Sequence, residues 1–238
     1  SLSLSSDGSR VAIGAMDNDG NGSNSGHVRV YDYNGSGWVQ VGADIDGEAA
    51  GDKSGVAVSL SSDGTRVAIG SEDNDGANGS DSGHVRVYDY NGSAWVQVGG
   101  DIDGEAAGDG IGESVALSSD GSRVVTGATL NDAGNASSDN RGHVRIYDYN
   151  GSAWVQVGAD IDGEDVGDAS GFSVSISSDG SRVAIGAPSN NGAASDAGHV
   201  RVYSLPGEVY KYTWDVDSGS TPPSGIYYAT VSGTAAAS

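Results

Sequence analysis

The chain has no cysteine, one methionine, one phenylalanine and four prolines in 238 residues. Without cysteine there is no disulfide to staple the fold and no thiolate to attack a substrate or bind a metal, although secretion stays open. Positive charge is scarce too. Eleven Lys and Arg stand against 33 Asp and Glu, for a formal net charge of -22. Such a surface repels nucleic acid and anionic membrane, and suits a medium whose salt or calcium screens it. No run is apolar enough to cross a bilayer as a helix. The chain opens at Ser1 with no leader, which reads as a processed form or an excerpt.

Glycine, in contrast, is abundant, with 40 residues. Glycine and acid together can signal disorder, but these glycines recur at fixed places beside alternating Val, Ile, Leu and Tyr, as turns between strands do. Ser-Ser-Asp-Gly begins at Ser5, Ser61, Ser118 and Ser177, at separations of 56, 57 and 59 residues. A short apolar segment follows each: RVAIGA from Arg10, RVAIGS from Arg66, RVVTGA from Arg123 and RVAIGA from Arg182. After a polar loop comes GHVRVYDYNG from Gly26 and Gly83, GHVRIYDYNG from Gly142, and the divergent GHVRVYSLPG from Gly198. Three copies continue W-V-Q-V-G, from Trp38, Trp95 and Trp154, through D-I-D-G-E into the next unit.

Each unit therefore offers four short strands, in the second unit near 55–60, 66–70, 84–90 and 95–98, and nothing reads as a helix. Asn-Gly at Asn34, Asn91 and Asn150 predicts tight type I′ hairpins, and Ser-Ser-Asp-Gly a turn of the same kind. Ala12 and Gly14 on the second strand would let a neighbouring sheet approach closely, while Trp38, Trp95 and Trp154 supply bulk on the outer strand. The expected fold class is all-β: a β-propeller-like array of four four-stranded blades, either a complete small ring or part of a larger propeller. Its units run about 1–48, 49–105, 106–164 and 165–214, followed by a linker and terminal strand over 215–238 that closes the ring or contacts a partner. In the fourth unit Tyr210 falls at the tryptophan position, Trp214 lies outside the register, and Ile226 to Val231 is one more strand. A solenoid or a string of separate sandwiches competes, but each unit is too small to bury its own core.

The fourth unit carries a resemblance. Gly171-Phe172 precedes the strand Ser173-Val174-Ser175-Ile176, and Gly186-Ala187-Pro188 follows, with weaker versions at Gly14-Ala15-Met16 and Gly70-Ser71-Glu72. Over about 1–210 the chain resembles the FG-GAP repeats of integrin α-chain propellers, and more closely their bacterial and algal relatives. The resemblance implies a propeller, often of seven blades, used outside the cell for adhesion or ligand binding. That family often carries an Asp-x-Asp-x-Asp-Gly calcium loop between its first two strands. Here the connection is Ser-Ser-Asp-Gly, with Asp7, Asp63, Asp120 and Asp179, and it offers too few oxygens to enclose calcium.

Another acidic pattern recurs at offsets of zero, two, four and eight: Asp44, Asp46, Glu48, Asp52; Asp101, Asp103, Glu105, Asp109; Asp160, Asp162, Glu164, Asp168. Those offsets could wrap oxygens around calcium, the one cofactor expected. The competing reading is that these acids shape the crossover and bond backbone amides or a repeated arginine. Asp17, Asp19, Asp73, Asp75 and Asp81 are lesser candidates in the loops. Two arginine series (Arg10, Arg66, Arg123, Arg182 and Arg29, Arg86, Arg145, Arg201) read as structural ion pairs. His27, His84, His143 and His199 stand too far apart around a ring to share a metal. Asn-x-Ser sequons at Asn21, Asn34, Asn78, Asn91, Asn135 and Asn150 admit glycans in a secreted protein.

No nucleophile motif is present, and near-identical repetition offers no unique carboxylate pair of the kind glycoside hydrolysis needs. The expectation is therefore a non-catalytic extracellular or cell-surface structural or adhesion protein. Its partners would be other extracellular or surface proteins (itself among them) or glycans, but not nucleic acid and not the membrane interior. A calcium-dependent carbohydrate- or protein-binding module is the alternative, and a hydrolase ranks below both.

Overall fold

In the computed structural model, residues 1–132, 139–192 and 194–205 are described in full and 212–214 by their backbone. The β-branched, alternating segments form strands throughout, and no helix occurs among the described residues. The first blade comprises β1 (Leu2–Leu4), β2 (Arg10–Ala15), β3 (His27–Tyr33), β4 (Trp38–Gln40) and β5 (Ile45–Asp46). The second comprises β6 (Ala57–Leu60), β7 (Arg66–Ser71), β8 (His84–Tyr90), β9 (Trp95–Gln97) and β10 (Ile102–Asp103). The third follows with β11 (Ser114–Leu117), β12 (Arg123–Ala128), β13 (His143–Tyr149), β14 (Trp154–Gln156) and β15 (Ile161–Asp162). The fourth has β16 (Ser173–Ile176), β17 (Arg182–Ala187), β18 (His199–Ser204) and β19 (Tyr212–Trp214).

Every pairing is antiparallel, and the outermost strand of blades one to three is split. In the first, Trp38 pairs with Tyr33 while Ile45 pairs with Val28, both along β3. Gly42, at φ +75, makes the break. The innermost strands β1, β6, β11 and β16 lie against one another in series, so the four sheets radiate as propeller blades do. In the fourth blade Trp214 pairs with Val200, the register that Ile45 holds opposite Val28. Trp214 thus takes the isoleucine's place in the ladder and not that of Trp38 opposite Tyr33, so it lies outside the tryptophan register as the sequence indicates. Tyr210, Asn135 and 215–238, with the expected linker and the strand from Ile226, lie outside the described residues.

The core sits between blades rather than within them. Ala12, Val28, Val30 and Ile45 of the first blade bury Val58, Leu60, Val67 and Ile69 of the second, with Tyr88 and Trp95 packed at the edge. Each fully buried Val or Ile contributes about 1.5–3 kcal/mol. The sheets come very close at one point: a Cβ built on Gly14, Gly70 or Gly127 would lie 2.0, 1.9 or 2.1 Å from the carbonyl oxygen of Gly55, Gly112 or Gly171 in the next blade.

Polar stitches repeat around the array. Arg10, Arg66 and Arg123 each hold an aspartate of their own blade, Asp32, Asp89 or Asp148. Each also donates Nη1 to the next blade, to the carbonyls of Gly64, Gly121 and Gly180. Trp95 and Trp154 donate Nε1 back to Val41 and Val98 at 2.9 Å. Arg10 lies over the rings of Tyr90 and Trp95, a cation–π contact across the same joint.

The Asn-Gly turns are not type I′. Gly35, Gly92 and Gly151 take positive φ but the asparagines do not. Asn34 instead accepts the amides of Ser36 and Gly37 on its side-chain oxygen, closing a longer loop. Ser-Ser-Asp-Gly works the same way: Asp7 accepts the Ser9 amide and the hydroxyls of Ser5 and Ser9. These bonds favour the carboxylate, and the Asp7 and Asp179 pKa values fall from 3.8 to about 2. A folded pKa below the unfolded one stabilises fully above 3.8, and the gain is lost as pH falls through about 2. The melting temperature is expected to drop across that window. A melt unchanged between pH 5 and 2 would show that these turns contribute nothing.

Candidate functional site

The predicted metal sets are taken apart by the fold. Asp44 forms a fork with Arg29 and accepts from Gln40, and Asp101 and Asp160 repeat the pattern with Arg86 and Arg145. Glu48, Glu105 and Glu164 cross to the following blade and pair with Arg86, Arg145 and Arg201. Asp52, Asp109 and Asp168 are buried and accept backbone amides of the crossover, at Ala49, Ala106 and Asp165. Asp168 also accepts from Asn190. Asp103 lines an acidic cleft, where burial pushes its carboxyl up. Asp46 gathers with His27 and Asp44, while Asp162 pairs in the sheet opposite His143.

His27, His84 and His143, all buried, lie beside these carboxylates. Glu48, His84 and Asp101 form one group, and Glu105, His143 and Asp160 another. Burial pushes both imidazoles down, so they are neutral near pH 7. Yet Arg86 and Arg145 already bond both carboxylates of their groups. A mixed nitrogen and oxygen set around a guanidinium differs from the cage of six to eight oxygens that calcium takes. On burial, Asp101 would rise, but the bonds from Arg86 and Gln97 outweigh that, and its net direction is down.

A different cluster breaks the repeat. Lys53, Glu72, Asp73, Asp81, Glu113 and Thr129 line a cleft of about 470 Å³ between the second and third blades. The glycine contact described above creates it. Glu72 follows Gly70 by two residues and Glu113 follows Gly112 by one, so the close approach of these two backbones brings both acids to the same joint. Lys53 reaches in from the preceding crossover, where its own backbone takes φ +54. Its ammonium lies 2.6 Å from Asp73 and 3.6 Å from Glu72. Thr129 is buried and donates its hydroxyl to Glu113 Oε2 in a short bond.

The two glutamates differ in environment. Burial, then the charge of Asp73, pushes Glu72 up, with Glu113 adding to the rise and Lys53 opposing it. Glu113 accepts the Thr129 hydroxyl, which orients its side chain. Equivalent positions elsewhere are Met16, Thr129 and Pro188 for Glu72, and Val56 and Phe172 for Glu113. Lys53 is Gly110 and Ala169 in the later units. The acid pair, with its lysine, therefore occurs once among the described residues. A second cleft of about 750 Å³, lined by Glu48, Asp52, Asp75, Asp101 and Asp103, shares Asp73 and Asp81 with it.

No family model and no curated protein matches the chain. Solved structures match by shape. One from Bacteroides uniformis, provisionally named 6-phosphogluconolactonase, has TM-score 0.60 at 15% identity, over 90% of this chain and 54% of its own. A second of the same provisional name, from Bacteroides fragilis, has TM-score 0.58 at 13% identity, over 91% and 55%. The β-propeller domain of the Trilobed protease from Pyrococcus furiosus, described as having an open velcro topology, has TM-score 0.49 at 12% identity, over 88% and 55%. The architecture is a β-propeller's. The chain spans about half the length of these structures.

The expectation of a non-catalytic structural or adhesion protein is corrected here. This architecture is one that proteins named for an enzymatic activity carry, and the likeness contains nothing that speaks for adhesion. Most polar groups recur almost identically from blade to blade, but Glu72, Glu113 and Lys53 do not.

Proposed function

We propose that the chain carries a hydrolase site for a neutral, polyhydroxylated lactone or ester in the cleft of Glu72, Glu113 and Lys53. One observation carries the reading: two carboxylic acids share one cleft, the Glu72 pKa pushed up by burial and Glu113 accepting the Thr129 hydroxyl. Environments that separate paired acids divide the roles of proton donor and acceptor.

In the proposed reaction Glu113 takes a proton from water as its oxygen attacks the carbonyl carbon. The Lys53 ammonium faces the oxyanion that forms. The ring C–O bond then breaks, and Glu72 gives its proton to the departing oxygen, leaving a carboxylic acid and an alcohol. The proton on Glu113 returns to Glu72, directly or through solvent, so the site is restored. A single lysine amid Glu72, Asp73, Asp81 and Glu113 disfavours a phosphorylated substrate. The provisional name of the structural neighbours supports lactone chemistry, and the acidic lining sets the difference in charge.

The test is pH-stat hydrolysis of a neutral aldonolactone and its phosphorylated counterpart, each against the uncatalysed rate. Acceleration is expected for the neutral compound and little or none for the phosphorylated one. No acceleration of any neutral lactone or ester would remove the proposal.

A further inference from the structure

The first blade presents an uncovered face. Leu4, Ile13 and Trp38 are 54%, 43% and 48% exposed, and with Val11 and Tyr31 they line an apolar groove of about 420 Å³. Their counterparts Leu60, Val67, Ile69, Tyr88 and Trp95 all pack against the preceding blade. The fourth blade is open on the opposite face: Val200 is 47% exposed, whereas its counterparts Val28, Val85 and Val144 are fully buried.

The polar groups of these faces match position by position. At internal joints Ser6 and Ser62 donate their amides to the carbonyls of Ser62 and Ser119, and Ser119 to Ser178. Ser178 has no such acceptor among the described residues, and Ser6 has no such donor to its carbonyl. Ser3 and Ser59 Oγ accept the amides of Leu60 and Leu117. The same element would join Ser175 Oγ to Leu4. Arg182 stands where Arg10, Arg66 and Arg123 reach a glycine carbonyl, and Gly8 is the matching glycine of the first blade.

We infer that two copies of this chain join head to tail, the fourth blade of each seated on the first blade of the other. Because one face is the complement of the other, and neither is its own, the contact is heterologous; two such joints close a twofold ring. The inference is independent of the hydrolase reading.

The full chain is expected to sediment as twice 23.7 kDa, with a mass that stays constant as concentration rises through the micromolar range. L4D/W38E places charge on side chains already exposed in the single chain, and is expected to halve the mass while leaving the far-ultraviolet dichroism unchanged. A constant 23.7 kDa, as when the chain's own terminal residues cover the fourth blade, would overturn the inference. So would a mass that keeps growing with concentration, the mark of an open filament. Orientation is read separately. The chain has no cysteine, so S6C/S178C gives a clean probe. Oxidation should yield a covalent dimer, and a dimer that fails to cross-link would overturn the head-to-tail joint.

Discussion

Replacing Gly70 with alanine is expected to destabilise the protein by about 3 kcal/mol or more, the upper end of what overpacking costs. The added Cβ would lie 1.9 Å from the Gly112 carbonyl oxygen and 2.8 Å from its carbon. Both are backbone atoms of the next blade, so no rotamer change relieves the clash. Either the blades separate, losing the burial of Val85, Val87, Val124 and Leu117 around them, or the strand breaks its own ladder. Gly100 provides the control, since nothing lies within 4 Å of a Cβ built there. Denaturant midpoints of G70A and G100A compare the two directly. Equal midpoints would mean that the blades do not meet as closely as the glycines indicate. Because the same contact sets Glu72 beside Glu113, G70A should lose hydrolysis too, even where folded protein remains.

The second large effect concerns Glu113. E113Q keeps the shape and still accepts the Thr129 hydroxyl, but cannot take a proton from water. The rate should fall by about 10²–10⁴-fold, the range for a positioned acid or base. The pH profile gives more than the rate. With Glu72 as acid, activity declines as Glu72, raised by burial, loses its proton. E72Q should lower the rate and abolish the decline at higher pH. A wild-type rate in E113Q, with an unchanged melt, would exclude Glu113 as the base.

Much of the scaffold was legible because it repeats. Val-Ala-Ile-Gly on the second strand announced a close neighbour, and Gly14, Gly70 and Gly127 do meet one. Trp95 was legible as outer packing, but its partner was not, because the Val41 carbonyl is a backbone atom 54 residues away. The Asn-Gly turns were found and mistyped, since asparagine serves a left-handed turn and a side-chain-capped loop equally well. The acids at even offsets looked like one loop around one ion. In space, Asp44 turns back to Arg29, whereas Glu48 crosses to Arg86 of the next blade. The site itself was overlooked because attention to recurring residues discounts those that recur nowhere. Met16, Glu72, Thr129 and Pro188 share one column, and the proposed chemistry lies in the differences along it.

The stitches between blades have a consequence for how the molecule comes apart. Each blade touches only its neighbours, so its resistance to opening depends on how many joints it shares. Within one chain the second and third blades have two joints and the outer blades one. Fraying therefore starts at β1 and β18 and travels inward, and amide protons in β7 and β12 exchange last. A closed ring of two chains has no outer blade, and opening anywhere must then break two joints at once. Closure would thus turn a gradual unravelling into a single cooperative event.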